Sequence, residues 1–334
     1  MIIPKYWAEA RLQHREGRRQ VTLRRFGWSD ESDAAAQAHA DLRVREAMDR
    51  VLAGEELPRR ERRVAYNGAE GVPIREEIVD RHGDSVITRN GYGALCLNTP
   101  DVLFADIDAG EQDLSYRHGC LLIIVLTFVF TVALKLAGME RLAPAVGIGF
   151  ASAWALSWFI DHAYTRFVAR PRARDARERW DAEALARIRA FADGRRDWCL
   201  RVYRTPAGFR LLAMHRTFDP RDPEVAAMFD ALGVDSTYAL MCFNQHCFRA
   251  RISPKPWRMG LERLHAPYAA TWRAEHADLR ERREWIRRYD AAASRFASCR
   301  FVETLGQGGE VPEAIAVREV HDLFCRADQR LPLA

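Results

Sequence analysis

Residues 119–160 constrain this chain more than any other stretch. They read GCLLIIVLTFVFTVALKLAGMERLAPAVGIGFASAWALSWFI. The run 119–136 carries one charge, Lys135, near its end, and the run 142–160 carries none. An α-helix rises about 1.5 Å per residue, so about 20 apolar residues cross the roughly 30 Å hydrocarbon core of a bilayer. Each run is close to that length, and only 137–141 separates them. The pattern predicts an antiparallel transmembrane helical hairpin. A buried hairpin in a soluble core is the competing reading, but buried helices of this length usually keep a polar stripe. Thr127 and Thr131 are nearly the only polar side chains of the first run, and hydroxyls there can bond back to their own helix.

The second run places Ala145, Gly149 and Ala153 four residues apart, a face of small residues on which another backbone can come close. The first helix is the expected partner, and self-association of two protomers is the alternative. Orientation follows from arginine. Arg166, Arg170, Arg172, Arg174, Arg177 and Arg179 follow the second run and Arg117 precedes the first, while the turn holds Lys135 and Arg141 against Glu140. The positive-inside rule places both outer flanks, and so both termini, on the cytosolic side of the inner membrane. The same arginines are expected to meet anionic lipid headgroups. The opening residues, MIIPKYWAEAR, show no apolar core of the secretory type.

The chain has 334 residues and a net charge of +5. All but three of its 51 basic residues are arginine, the lysines being Lys5, Lys135 and Lys255. In such an arginine-rich chain a basic cluster carries less weight than usual as a nucleic-acid signal. The seven cysteines are odd in number and irregularly spaced, so free thiols are expected. Cys242, His246 and Cys247 lie close together, but no second ligand pair follows at zinc-site spacing, and no zinc site is expected there.

Read in order, the chain divides into a small α+β unit (1–56), a first part of a larger cytosolic α+β domain (57–116), the hairpin (117–163), a basic segment and helix (164–194), and the second part of the domain (195–334). Residues 6–12 and 20–28 alternate as two strands, with Ser29 or Asp30 placed to cap a helix that Gly54 ends. His82-Gly83-Asp84 and Asn90-Gly91 are hairpin turns between strand-like runs. Residues 102–108 form an apolar strand closing on Asp106-Ile107-Asp108, and i, i+2 spacing projects both acids from one face. A helix is expected over 175–193, and strands over 199–204, 209–216, 239–243 and 247–252. Asp222 with Pro223 opens a helix, 268–296 reads as a long charged helix, and a strand over 300–304 and a helix over 313–327 close the chain. The fold class is therefore α+β with antiparallel sheet. The strands on either side of the hairpin, 102–108 and 199–216, are expected to pair.

Two acids on one strand face repel unless a cation lies between them, and Mg²⁺ or Mn²⁺ with phosphate oxygens is the usual answer. Arg249 and Arg251 share a strand face, and Lys255 follows in FRARISPKPWR, a set that could clamp the phosphates of a nucleotide or nucleic acid. An Asp-x-Asp strand, a hairpin leading to a histidine, then a basic strand resembles the catalytic core of archaeo-eukaryotic primases and primase-polymerases, over roughly residues 75–258. The resemblance implies Asp106 and Asp108 as the metal pair, His215 as the phosphate contact and Asp235 as a third acid. It departs from that family where the apolar stretch interrupts the core, where Ala213-Met214-His215 replaces Ser-x-His, and at Asp235, which no motif marks. Two functions follow: a membrane-anchored cytosolic module that binds a partner, or a Mg²⁺-dependent nucleotidyl- or phosphoryl-transfer enzyme.

Overall fold

A computed structural model describes residues 2–17, 19–61, 71–109, 120–265 and 272–334. They fall into two units, Met1–Asp108 with Ala186–Ala334, and Ala109–Leu185. The first unit, the head, is α+β and all its sheets are antiparallel. The second is a helical arm.

The head opens with β1 (Tyr6–Glu16) and β2 (Arg19–Ser29), paired in unbroken antiparallel register. Helix α1 (Asp33–Leu52) lies directly on them. Its backbone comes so close that a Cβ on Gly27 would stand 2.2 Å from the Ala40 amide nitrogen. Ser32, rather than Ser29 or Asp30, caps α1 by accepting from the Ala35 amide. Next come β3 (Glu77–His82), β4 (Ser85–Arg89), β5 (Leu95–Thr99) and β6 (Phe104–Asp108). The Asn90 turn forms as expected, with its side-chain oxygen accepting from the amides of Tyr92 and Ala94.

The arm consists of α2 (Cys120–Leu136), α3 (Leu142–Tyr164), one π-helical turn (Thr165–Ala169) and the start of α4 (Arg170–Asp193). Here the structure meets the sequence reading in part: one of the two expected spans has the length, and the helix that follows it differs. Two runs near 20 residues predict two spans. Among the described residues one helix, Leu142–Asp193, is long and apolar enough to cross a membrane, and the other apolar segment, Ile123–Leu136, is shorter. Nor does the helix over 175–193 start afresh, because 52 residues run on without a break from Leu142. Pro171 would ordinarily stop such a helix, because its ring meets the carbonyl four residues back. The wider π turn, Thr165–Ala169, includes Phe167, the residue whose carbonyl that ring would meet.

After the arm come β7 (Cys199–Arg204), β8 (Gly208–Ala213), α5 (Pro223–Leu232), α6 (Ser236–Gln245), β9 (Phe248–Arg251), α7 (Arg280–Ala293), β10 (Arg300–Gly306) and α8 (Pro312–Cys325). Two four-stranded sheets result, ordered β3-β4-β5-β9 and β10-β7-β8-β6. The expected pairing across the arm occurs: β6 lies against β8, with Asp106 opposite Arg210. Asp222 caps α5, and Gly233 ends it in the left-handed conformation. Residues 239–243 are not a strand. They belong to α6, which Asp235 starts by accepting from the Tyr238 amide. The long helix expected over 268–296 forms only over Arg280–Ala293: Ala274–Asp278 is a separate 3-10 turn, Leu279 is extended, and 266–271 lies outside the described residues.

Candidate functional site

The β6–β8 register decides what Asp106 does. Its cross-strand partner Arg210 is 1% exposed, and its guanidinium grips the carboxylate with two bonds, Nε to Oδ1 at 2.6 Å and Nη2 to Oδ2 at 2.8 Å. The remaining nitrogen, Nη1, donates to the Arg251 carbonyl at 2.8 Å and lies 3.4 Å from His321 Nε2. A buried guanidinium must be paired to be tolerated. Asp106 therefore supplies Arg210 with its counter-charge. Asp108, two residues on, has a pKa above the usual carboxylate range. The crowding of protein around it is the main cause and Asp106 adds to it, while Arg251, Arg210 and Lys255 pull the other way.

Arg249, His215 and Asp235, also singled out by sequence, are engaged by other partners. Arg249 is buried and bound to its own sheet, with Nη2 donating to both Glu76 oxygens at 2.9 and 2.7 Å and Nη1 to Asn98 at 2.9 Å. It is an internal strut, where a phosphate clamp was expected. His215 sits past the end of β8 against Trp198, ring centroids 4.4 Å apart, and Phe218, 5.5 Å apart. Burial holds its imidazole below the ordinary histidine range. Asp235 is a helix cap. Of these basic residues, Arg251 and Lys255 act on the charge of Asp108.

What does gather at Arg210 is a cluster that sequence reading missed. Cys299, His321 and Cys325 are buried, and their ligand atoms all lie within 4.8 Å of one another. His321 and Cys325 are one turn apart on α8, on the face it shares with Ala314 and Val317. Cys299 comes from the residues leading into β10. The chain past α8 is sewn to that segment by Ser298 N–H to the Cys325 carbonyl at 3.0 Å and Phe301 N–H to the Ala327 carbonyl at 3.1 Å. Cys299 Sγ is then 3.8 Å from His321 Nε2. The other ring nitrogen, Nδ1, is 2.8 Å from Asp322 Oδ1, and Asp322 in turn accepts from Arg201 at 3.0 Å. Phe104 and Tyr203 pack their rings against the imidazole, and burial pushes the Cys299 thiol well up.

Two thiols and an imidazole offer a metal ion three soft or borderline donors. Mg²⁺ and Mn²⁺ prefer oxygen, so this donor set does not suit them. Cys242 and Cys247 are buried, His246 caps α6 in the left-handed conformation, and these three do not form a metal cluster. Cys96, Cys199, Cys242, Cys247, Cys299 and Cys325 are free thiols. The legible signal for the cluster was His-x-x-x-Cys on a C-terminal helix. Its third member stands on the far side of a strand and a turn, which spacing does not reveal.

No family model matches the sequence, and neither the curated proteins nor the solved structures contain a match.

Proposed function

We propose that this chain is a membrane-anchored protein whose arm enters the bilayer and whose α+β head is a binding module held at the cytosolic surface. The observation that carries this reading is the inverted burial of the arm. The buried residues of α3 are small, Ala145, Gly149, Ala153 and Ser157, whereas Phe128, Trp154, Trp158 and Phe159 face outward. In water this would be the wrong way round, since large apolar groups gain most by leaving it. In a bilayer it is the expected arrangement, because close backbone packing, not hydrophobicity, joins the helices. A Cβ on Gly149 would stand 2.6 Å from Thr131 Oγ1, so α2 is the element that covers the small-residue face. Thr127 and Thr131 return their hydroxyls to carbonyls of their own helix at 2.7 Å, which satisfies those two donors in hydrocarbon.

In this reading α3 spans and α2 accompanies it, its shorter length met by local thinning of the bilayer. Arg166, Arg170 and Arg172 are exposed on the continuing helix and are suited to anionic headgroups. Arg174 and Arg177 are partly occupied, by Glu178 at 2.9 Å and Asp181 at 3.0 Å.

Cysteine labelling tests the arrangement. Cys96, Cys199, Cys242, Cys247, Cys299 and Cys325 are buried, and Cys120 is replaced by serine in the labelling background. A cysteine placed at Met139 should react from outside intact cells, and cysteines at Ala38 and Ala316 should react only after permeabilisation. Reaction of all three only after permeabilisation, or recovery of the protein in the soluble fraction without detergent, would sink the reading.

The primase-like nucleotidyl-transfer reading keeps one support, the positive charge of Arg251 and Lys255 beside Asp108. Against it stands Asp106, which would have to abandon a buried arginine before it could ligate Mg²⁺ or Mn²⁺.

A further inference from the structure

The donor set at the end of α8 lies in the head, and its reading does not depend on how the arm is used. We propose that Cys299, His321 and Cys325 bind a thiolate-seeking divalent cation of the zinc class, and that the ion fastens the end of α8 to the segment entering β10.

Three observations carry this. First, the donors converge from two separate segments, with ligand atoms within 4.8 Å of one another, so no rearrangement of the chain is needed to bring them to one ion. Second, the histidine is held as metal-bound histidines usually are. Its Nδ1 faces the Asp322 carboxylate at 2.8 Å, which favours the proton there and leaves the lone pair of Nε2 toward Cys299 Sγ, 3.8 Å away, and Arg210 Nη1, 3.4 Å away. Asp322 is itself positioned by Arg201 at 3.0 Å. Third, the buried charge closes. Arg210 is balanced by Asp106, and Asp322 by Arg201. Binding replaces the two thiol protons, which leave to solvent, with one ion of charge two, so the interior stays neutral. A monovalent ion such as Cu(I) would leave one uncompensated negative charge in a buried site. Hard cations are disfavoured by the sulfur donors.

Arg210 Nη1, 3.4 Å from His321 Nε2, has no lone pair and cannot ligate. It can donate a hydrogen bond toward the anionic sulfurs that binding creates. Three protein donors leave a zinc-class ion one further coordination position.

The test uses the full chain in detergent, reduced, stripped with chelator and titrated with Co(II). The wild type should develop thiolate-to-cobalt charge-transfer absorption that saturates at about one equivalent, and Zn(II) should abolish it. C299S, C325S and H321Q should each lose the absorption, while C242S with C247S should keep it. If the three variants do not fold, the wild-type titration and its displacement by zinc still decide the matter. No thiolate–cobalt absorption in the reduced wild type, or absorption lost with Cys242 and Cys247 and kept without Cys299 and Cys325, overturns the assignment.

Discussion

Removing one charge, by Asp106→Asn, should cost this protein more than almost any other isosteric change. The Arg210 side chain is 2% exposed and that of Asp106 is 25% exposed, so the arginine has no route to water while the acid has some. Asn keeps the shape and one acceptor. It puts an NH₂ group against the guanidinium N–H that Oδ1 or Oδ2 now accepts, and it removes the counter-charge. Removing one partner of a buried ion pair costs about 3–5 kcal/mol. In thermal terms that is a drop on the order of 10 °C. Arg210→Met should cost less, because the orphaned acid is the partly hydrated partner, and the double variant should recover part of the loss. Asp108→Asn is the control. That acid is exposed at the end of β6 and its pKa is raised, so losing its charge should be neutral or slightly stabilising at neutral pH. Urea denaturation of the detergent-solubilised protein, followed by tryptophan fluorescence, reads all four. If Asp106→Asn lies within about 0.5 kcal/mol of wild type, the range of ordinary surface changes, Asp106 does not sustain Arg210 and is free to ligate a cation, and the enzymatic reading revives.

Two further outcomes follow from the head. Gly93 holds φ at +99°, and a Cβ there would fall 2.1 Å from the Trp285 indole, so Gly93→Ala should destabilise by about 2–4 kcal/mol in the same denaturation assay. His215, its pKa lowered by burial, favours the neutral ring in the folded state, so its contribution to stability is intact above the unfolded histidine pKa and is lost as pH falls through and below that value. Replacing His215 with Phe should flatten the stability curve between roughly pH 7 and pH 5, and an unchanged slope would count against the assignment.

Much of the local structure is legible in the sequence because its causes are local. Hydrophobic length marks the arm. Asp222-Pro223 and Gly233 start and stop α5 by capping and by a left-handed φ. Asn90 makes its turn with its own side chain. The small face of α3 already states that a backbone must lie on it. Even Asp106 and Asp108 are correctly seen as sharing a strand.

What they do there is not local. Asp106 acquires its role from a partner 104 residues away, and Arg249 from one 173 residues away. A shift of one residue in the β6–β8 register would put Arg210 on the opposite sheet face and leave two acids in search of a cation. The sequence determined where charge, apolar length and turns occur. Only the packing of β8, β9 and α8 against one another decided which charges cancel, and among the described residues it brought Cys299, His321 and Cys325 close enough together to hold a metal ion.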